Sequence, residues 1–553
     1  MQKNTKKTLI GYFGTVFLIV TCVSIGILYF NDRSVINREQ LTFESPTGVT
    51  LKGFYYPGNL DAGVMLLEGF SADQFMLKGF ALEFWKLGFH VLTFDFTGHG
   101  LSFGSIGFDN AATDVLAKQV LKAEEIFKSE SGLLDSQILY MGHSMGSRVA
   151  LQAATMDDSL AGLILVGTSI NLDLNLQSDF FTGVRDSDLE WIQNLNGTNP
   201  ETPVLLMSGA WDDILTPSAA NLLFEQLGGE GAPNARELII FDYMFHNYEV
   251  YSPRVISYAL NWAINTLGLG LNPLSPSTMV IRKIFWAVGV SSLFLTLIFF
   301  NLYLELKNVG FDKLMNSDPS INITNTQKFL WVKLALWILS LPLCVIVAGV
   351  LSLIPIGIPV FNMIYVGFIA GYGIFMVLIY QFRKKKLIPG LEGTFDLKDM
   401  KHTSVKKILK GTCIVLGLLI LSTLFARSGL YALFPLNYRL IWLILFTLIT
   451  IPAFYITLKE QEWIVKTKRK RLVSFVHTVI GYVPFILLTI LYLVLRSISG
   501  MIGAIHGLII IALVTITGNL LGKIVQNQLF ISIIQSFLLY YLVLPQTALF
   551  VFF

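Results

Sequence analysis

Gly142-His143-Ser144-Met145-Gly146 is a G-x-S-x-G pentapeptide, and its two flanks decide the fold. An apolar run at residues 137–142 predicts a strand before it, and an amphipathic run at 147–156 predicts a helix after it. A strand-to-helix turn this sharp strains the backbone of its serine and leaves the hydroxyl exposed. The glycines at its two ends let neighbouring backbone approach closely. In this context the pentapeptide predicts a nucleophilic serine at Ser144.

The same alternation of strand and helix extends over residues 31–270, which we call the polar region. Amphipathic segments of helical length separate most of its short apolar or β-branched runs. Such a pattern predicts an α/β fold with a mostly parallel sheet that carries helices on both faces. The predicted strands are 49–56, 64–69, 89–95, 137–142, 161–167, 203–209 and 237–241, and the predicted helices include 75–87, 111–129, 147–156 and 217–227.

The G-H-S-M-G pentapeptide 142–146, called the elbow below, lies between a predicted strand and a predicted helix. With this arrangement the polar region resembles the α/β-hydrolase superfamily. It is most similar to the serine aminopeptidase, monoacylglycerol lipase and esterase-like branch, over about residues 40–268. The resemblance implies an eight-stranded type of sheet and acyl-enzyme chemistry at Ser144, with no cofactor and no metal. Gly142, His143 and Gly146 would then be the elbow residues around the nucleophile.

The superfamily orders its catalytic triad as nucleophile, acid and histidine, each just after a strand at the same sheet edge. The predicted strand 203–208 is followed by Gly209-Ala210-Trp211-Asp212-Asp213-Ile214-Leu215, which resembles the family's G-x-x-D-x-I-V turn and makes Asp212 the acid. Asp213 is the alternative acid, because aspartates are also common in ordinary turns. Of the seven histidines, only His246 has the order and context expected of the base.

The fold also implies an oxyanion hole built from backbone N–H groups. Met145, directly after the nucleophile, and Phe70, in the loop after the predicted strand 64–69, would supply them. Glu68 stands where the family usually has a histidine. A carboxylate near an oxyanion is unfavourable unless it is paired or turned away, so a weakened or specialised site remains an alternative.

Two further segments bear on the shape of the site. Residues 95–102 resemble the family's D-x-x-G-x-G-x-S loop and are predicted to shape the pocket floor through glycines and turn hydrogen bonds. About 35 residues, 168–202, separate the sixth predicted strand from the acid strand, which is too few for a large helical cap. We therefore expect a fairly open site, roofed at most by residues 172–191, as suits a lipid or peptide presented from a surface.

The rest of the chain has a different composition. The whole sequence has a mean hydropathy of +0.63 and only 14% charged residues, against about 25% in soluble domains. Residues 1–30 and 279–553, which we call the apolar region, hold runs long enough to span a bilayer. They predict an N-terminal anchor and an all-α polytopic membrane domain. The predicted spans of that domain are 280–303, 329–353, 363–380, 408–426, 440–458, 473–495, 502–521 and 529–552.

The N-terminal run favours an anchor over a cleaved signal peptide, because it is about 22 residues long and lacks an Ala-x-Ala-like site. Positive residues stay on the cytoplasmic side, and with nine spans three basic clusters fall on one side. This predicts a cytoplasmic N-terminus and a polar region outside the cytoplasm, although Arg282 and Lys283 at the outer end of the second span oppose it. The clusters are Lys3/Lys6/Lys7, Arg383-Lys384-Lys385-Lys386 with Lys406/Lys407, and residues 466–471.

Polar residues inside the predicted spans are few. Transport chemistry uses acidic residues or histidines that face a cavity, and residues 472–553 contain no Asp or Glu. We expect helix packing and interface anchoring there, not coupled transport. The net charge of +3, with basic residues beside apolar runs, also argues against nucleic-acid binding. The residues concerned are His477, His506 and Asn519 in the spans, and Arg427, Arg439 and Arg496 near helix ends, where arginine can snorkel.

Three functions fit these observations. The first is a membrane-bound serine hydrolase that cleaves an ester, thioester or amide, with a lipid or peptide at the outer membrane surface as its substrate. The second is an acyltransferase that uses the same acyl-enzyme. The third is a non-enzymatic membrane scaffold with a degenerate hydrolase fold, which Glu68 alone favours. The expected partners are the lipid bilayer and an acyl substrate, and the sequence leaves the oligomeric state open.

Overall fold

An eight-stranded sheet forms the centre of the polar region, in the order β1-β2-β4-β3-β6-β7-β8-β9. β2 is antiparallel to β1 and β4, and the other neighbouring pairs are parallel. This confirms the predicted, mostly parallel α/β fold. The strands are β1 (Glu39–Glu44), β2 (Thr50–Tyr56), β3 (Gly63–Leu67), β4 (His90–Asp95), β6 (Ile138–His143), β7 (Gly162–Val166), β8 (Val204–Gly209) and β9 (Arg236–Phe241), and the two-residue β5 (Ile106–Gly107) lies apart from them.

The chain is described here from a computed structural model. It describes residues 2–32, 37–107, 111–157, 159–168, 192–272, 275–307, 321–382, 388–393, 404–429, 437–465, 467–495, 497–544 and 548–551. The predicted roof at 172–191, His402, and the basic residues Arg383 to Lys386 and Lys466 lie outside these ranges, and so do the side chains of Lys3, Arg427 and Arg496.

Both faces of the sheet are buried, because its strands carry apolar side chains at successive positions. In β3, Val64 and Leu66 enter the core on one face, while Met65 and Leu67 enter the core on the other. Helices then cover both faces, which explains why the strands read as continuous apolar runs. After α1 (Gln2–Asn31), these helices are α2 (Lys78–Lys86), α3 (Ala111–Ser131), α4 (Met145–Met156), α5 (Pro217–Gln226) and α6 (Pro253–Thr266).

The apolar region consists of α1 and the helices that follow the polar region. Among the described residues, eight helices are long and apolar enough to cross a membrane, and α14 is a shorter apolar helix. Asn31 donates to the Thr278 carbonyl at 3.4 Å, so α1 ends where α7 begins. The helices are α7 (Ser277–Leu306), α8 (Thr326–Leu351), α9 (Val360–Phe382), α10 (Val405–Gly429), α11 (Tyr438–Ile464), α12 (Lys470–Val494), α13 (Ile498–Val525) and α14 (Gln528–Val543), and β10 (Ile321–Ile323) pairs with β11 (Leu391–Gly393) between them.

The last predicted span is too long. The sequence predicts a helix over 529–552, whereas α14 ends at Val543. Pro545 follows two residues later, and proline does not continue a helix because its nitrogen has no hydrogen to donate. Beyond it, β12 (Phe550–Val551) pairs in parallel with β5 of the polar region. The end of the described chain therefore contacts the polar region instead of completing a span.

Polar residues of the apolar region have definite partners in the structure. His477 packs between helices, as expected: its Nε2 lies 2.7 Å from Glu460, and Glu460 also pairs with Lys333 and accepts from the Tyr380 hydroxyl at 3.0 Å. These four side chains are buried and join α8, α9, α11 and α12. The expectation that Arg439 snorkels is wrong, since it is only 1% exposed and bonds to backbone carbonyls of the polar region.

Candidate active site

The elbow places Ser144 between β6 and α4 on a strained turn. Its φ is +55° and its ψ is −121°, a conformation that L residues rarely adopt. The backbone folds back so tightly that a Cβ at Gly142 would lie 2.3 Å from the Gly146 carbonyl oxygen. A Cβ at Gly146 would lie 2.3 Å from the Leu67 carbonyl oxygen. Both glycines are therefore required by close packing, and the side chain of Ser144 remains partly exposed.

The three residues predicted to form the triad lie together in the structure. The Nε2 atom of His246 is 2.9 Å from the Ser144 Oγ, and its Nδ1 atom is 2.7 Å from the Asp212 Oδ2. Asp212 and His246 are each 3% exposed. These distances are within hydrogen-bond range for both steps of a serine–histidine–aspartate relay.

The turn after β8 gives its two aspartates different partners. Oδ1 of Asp212 accepts from the backbone N–H groups of Ile214 and Leu215, at 2.9 and 2.8 Å, so the carboxylate is fixed toward His246. Asp213 faces the other way and accepts from the hydroxyl of Ser499 at 2.6 Å. Ser499 lies at the start of α13 in the apolar region. Of the two candidate acids, only Asp212 contacts the histidine.

Comparison with known proteins agrees with this architecture. Residues 58–195, less than half of the chain, match the family model for the serine aminopeptidases S33. The polar region has the α/β-hydrolase fold. We call it the hydrolase domain below.

The polyketide transferase ATR5 of Stachybotrys chlorohalonatus is 32% identical over 146 residues, which are 25% of this chain and 47% of that protein. This chain thus spans about half the length of the curated relative that it matches. Among solved structures, the α/β hydrolase GrgF from Penicillium sp. has 20% identity and a TM-score of 0.32, covering 42% of this chain and 98% of its own. A thermostable carboxyl esterase from Bacillus coagulans has 17% identity and a TM-score of 0.33, covering 42% and 97%.

The segment predicted to hold the oxyanion donors lies against the elbow. A Cβ at Gly69 would be 3.2 Å from the Cβ of Ser144, so the backbone that leads into Phe70 lies against Ser144. Met145 is the first residue of α4, where backbone N–H groups have no partner within the helix. Both predicted donors, the N–H groups of Phe70 and Met145, are therefore next to the elbow.

Glu68 is engaged elsewhere than at the elbow. Its Oε1 accepts from the backbone N–H of Phe96 at 2.8 Å. Burial raises the pKa of Glu68 well above its usual value, and the neighbouring Asp95 raises it further. This environment favours the uncharged form of the side chain, and the hydrogen bond to Phe96 engages it away from the elbow. Both effects oppose the repulsion that the sequence suggested for this position.

A second carboxyl, which the sequence gave no signal for, lies behind the histidine. Glu249 is 1% exposed, accepts from the Gly209 N–H at 2.6 Å, and has its other oxygen 3.6 Å from His143 and 4.0 Å from His246. Burial and the charge of Asp212 raise the pKa of Glu249 well above its usual value. Burial lowers the pKa of His143, whose Nε2 lies 3.3 Å from the His246 carbonyl oxygen. Glu249 and His143, whose surroundings favour their uncharged forms, therefore both contact the loop that carries His246.

The same side chains have metal-ligand types. Ligand atoms of His143, His246 and Glu249 lie within 4.8 Å of one another. Both ring nitrogens of His246 already have partners, however, so a metal ion bound there would displace Ser144 or Asp212. The arrangement is better suited to proton transfer than to metal binding.

The apolar region borders the site, which the sequence did not indicate. It contacts the loops at the carboxyl edge of the sheet, through Ser499 at Asp213, Arg439 at Gly98 and Phe550 at Phe70. These contacts join residues that are far apart in the chain, so no local sequence pattern predicts them. The fairly open site stays a prediction.

Proposed function

We propose that this protein is a membrane-bound serine hydrolase that cleaves an ester, thioester or amide bond through an acyl-enzyme. The observation that carries the proposal is the continuous relay from the Ser144 Oγ through His246 to Asp212. A serine hydroxyl is a poor nucleophile at neutral pH unless a base takes its proton during attack. His246 is in place to accept that proton and to return it to the leaving group, while Asp212 stabilises the imidazolium.

In the first step, the Ser144 Oγ attacks the carbonyl carbon as its proton moves to the His246 Nε2. The oxygen of the tetrahedral intermediate then needs N–H donors, which Met145 and Phe70 would supply. The C–O, C–S or C–N bond breaks as His246 protonates the leaving group. Water, activated by the same histidine, attacks the acyl-serine and releases the carboxylic acid.

The positions of the basic residues support an active site outside the cytoplasm. α11 and α13 begin at the hydrolase domain, so α10 and α12, which precede them, begin at the far end of the apolar region. α1 ends beside the domain and also begins at the far end. These three far ends carry the basic residues of the positive-inside pattern, namely Lys6 and Lys7, Lys406 and Lys407, and the run Lys468 to Arg471.

The two residues that opposed this orientation have local partners. Arg282 lies 3.5 Å from the carboxylate of Asp32, and both are buried. Lys283 donates to the Tyr248 hydroxyl at 2.9 Å and lies 4.2 Å from the centre of its ring. A charge held by a nearby carboxylate or ring weighs less as a topology signal than a free cluster in a loop.

Exposed aromatic side chains beside the catalytic loops favour a lipid over a peptide as substrate. Trp211, next to Asp212, is 49% exposed, and its ring meets that of Tyr243, which is 74% exposed. Tyr248, two residues after His246, contacts Lys283 near the start of the apolar helix α7. Tryptophan and tyrosine at the end of a membrane helix are typical of the lipid–water interface. An acyl lipid in that leaflet would meet these loops first.

A fluorophosphonate probe, which forms a covalent phosphonate ester with activated serines, tests the proposal on the full-length protein. We expect rapid labelling of the wild type and none of Ser144→Ala. Ser159→Ala, which changes an exposed serine of the same domain, is the matched control and should label as the wild type does. Labelling that persists in Ser144→Ala, or is absent from the wild type, would contradict the proposal.

An acyltransferase remains the second candidate, because the curated relative is named a polyketide transferase. The acyl-enzyme is common to both reactions, and only the acceptor in the second step differs. Product analysis with an acyl thioester, with and without an excess of a primary alcohol, separates them. Free acid as the main product in both assays indicates a hydrolase, whereas ester formed in preference to acid indicates a transferase.

A further inference from the structure

The carboxyl edge of the sheet carries all the loops of the proposed active site, and the apolar region contacts three of them. The first is the segment 69–71, called the oxyanion loop below. The second is the loop 95–102 after β4, and the third is the acid turn 209–215. Each loop receives a buried side chain from a different part of the apolar region, namely Phe550, Arg439 and Ser499.

Phe550 packs directly on the oxyanion loop. Its ring centre is 4.8 Å from that of Phe70, and the side chain is 1% exposed. On the other side its backbone forms a bridge with Ile358, with N–O distances of 3.0 and 2.7 Å. Phe550 is therefore fixed by the apolar region and in turn limits where the backbone of Phe70 can lie.

Arg439 holds the second loop by its backbone. Its guanidinium donates to the carbonyl oxygens of Gly98 at 2.5 Å and Gly100 at 3.2 Å. Gly98 has φ +76°, and a Cβ there would lie 2.9 Å from the Leu549 carbonyl oxygen, so the contact depends on a glycine. The neighbouring Leu549 N–H also donates to Gly98, at 3.0 Å.

The second loop is hydrogen-bonded to residues on both sides of the oxyanion loop, to Glu68 before it and to Gln74 after it. On one side the Phe96 N–H donates to Glu68, at 2.8 Å. On the other side Asp95 accepts from the backbone and the side chain of Gln74, each at 2.7 Å. A displacement of this loop would therefore be transmitted to the segment that carries the Phe70 N–H.

Ser499 binds the acid turn. Its hydroxyl donates to Asp213 at 2.6 Å, and its backbone N–H lies 3.3 Å from the same carboxylate. Asp213 thereby caps the start of α13, and the preceding residue in the chain is Asp212. The position of the triad acid is thus tied to the end of a candidate membrane helix.

We propose that the apolar region is a working part of the active site, with Phe550, Arg439 and Ser499 acting as positioning residues for the oxyanion loop and the acid turn. The inference rests on the proposed function. Oxyanion donors act only within about 2.7–3.1 Å of the developing charge, and a misplacement of about 1 Å costs on the order of a hundredfold in rate. A hydrolase domain without these three contacts would keep its triad but lose this precision.

The test uses the full-length protein in detergent or nanodiscs and measures the rate of fluorophosphonate labelling, followed by kcat and KM on a soluble thioester. For Phe550→Ala and Arg439→Ala we expect labelling and kcat to fall about 10- to 100-fold, with KM changed less than about threefold. Leu448→Ala, on the exposed face of the same helix as Arg439, is the matched control and should keep the wild-type rate. The pH dependence of kcat should not shift, because the triad itself is intact.

A double variant distinguishes a positioning role of Phe550 from a general loosening of the structure around it. Phe70→Ala keeps the backbone N–H and removes only the ring that Phe550 touches. If Phe550 acts through Phe70, the double variant Phe70→Ala/Phe550→Ala should be no slower than the slower single variant, since contacting residues are not additive. If the rate losses of the two single variants multiply in the double variant, the inference is overturned.

Each remaining result has a distinct meaning. Wild-type rates in Phe550→Ala and Arg439→Ala, with no labelling of Ser144→Ala, would overturn the positioning role and leave the proposed function standing. An unreactive wild type would overturn both. If Phe550→Ala does not fold, as judged by gel filtration and thermal unfolding, Phe550→Leu replaces it, because leucine fills most of the volume without the ring. A folded Phe550→Leu with an unchanged rate would also overturn the inference.

Discussion

Among the residues that the structure describes, two buried histidine–carboxylate pairs have the same 2.7 Å separation, one in the polar region and one in the apolar region. In the hydrolase domain, the other nitrogen of His246 faces the Ser144 hydroxyl, which stands on a strained and partly exposed turn. In the apolar region, the other nitrogen of His477 faces the amide of Gln461, at 3.0 Å, and the carboxylate of Glu460 is paired with a lysine.

The difference lies in what surrounds each pair. The first pair leaves a reactive hydroxyl beside a base, so its geometry suits proton transfer. The second pair binds Lys333, Tyr380 and Gln461 and has no nucleophile among its described contacts, so its geometry suits the joining of helices. A histidine–carboxylate contact therefore predicts chemistry only when the third partner is known.

The largest expected effect separates the two aspartates of the acid turn. Asp212→Asn should lower kcat by about 10²–10⁴-fold, because an amide cannot stabilise the imidazolium or hold its tautomer. Asp213→Asn, which keeps an oxygen for Ser499, should lose less than about tenfold. Steady-state kinetics on a soluble thioester measures both. Equal losses would remove the distinction between the two residues.

The second effect tests the pair in the apolar region. Glu460→Gln leaves Lys333 buried without its counter-charge, and we expect a loss of about 3–5 kcal/mol in the free energy of unfolding. Glu305→Gln breaks the exposed ion pair with Arg471 and is the control, with an expected change of about 0–1 kcal/mol. Thermal unfolding in detergent compares them, and labelling per folded molecule should be retained in both. Loss of labelling in folded Glu460→Gln would mean that the second pair also serves the reaction.

The third effect concerns pH, and it belongs to the hydrolase domain. Burial raises the pKa of Glu124 from 4.5 to about 7, and the side chain accepts from the Tyr140 hydroxyl. A carboxyl whose pKa is raised on folding favours the folded state at low pH, and this contribution is lost as pH rises from about 4.5 to about 7. Wild type should lose on the order of 2–3 kcal/mol over that range relative to Glu124→Gln, at about 1.4 kcal/mol per pKa unit. Parallel pH curves for the two proteins would contradict this.

The smallest effect sharpens the contrast between the two carboxyls beside His246. Burial and the neighbouring Asp212 raise the pKa of Glu249 well above its usual value, which favours the uncharged form that glutamine resembles. Glu249→Gln should change kcat by less than about threefold. Glu249→Ala, which leaves the Gly209 N–H without its acceptor, should lose more. A large loss in the glutamine variant would indicate that Glu249 is charged during turnover.

How much the sequence predicts depends on how local the cause is. The central strands were predictable because burial on both faces makes them continuous apolar runs. β1 (Glu39–Glu44) was not, since this edge strand is mostly exposed and its apolar alternation is limited to Leu41 and Phe43. The elbow, Asp212 and His246 could be placed by their order after strands, whereas Glu249 lacks any such signal.

The ion cluster was missed for a related reason. The predicted span ended at residue 458, which put Glu460 outside the helix, whereas α11 continues to Ile464. Charged residues lower the apparent hydropathy and so shorten a predicted span, even when a lysine on another helix neutralises them. Contacts such as Arg439 with Gly98 join distant parts of the chain, and only the fold brings them together.

The side-by-side arrangement of α1 and α7 has one more consequence. The chain enters the hydrolase domain after Asn31 and leaves it before Thr278, and these two residues are hydrogen-bonded. The domain is thus an insertion into a hairpin of two helices, with its entry and exit adjacent. Adjacent entry and exit points are typical of inserted domains. A different domain placed between the same two helices would also have to provide partners for Phe550, Arg439 and Ser499.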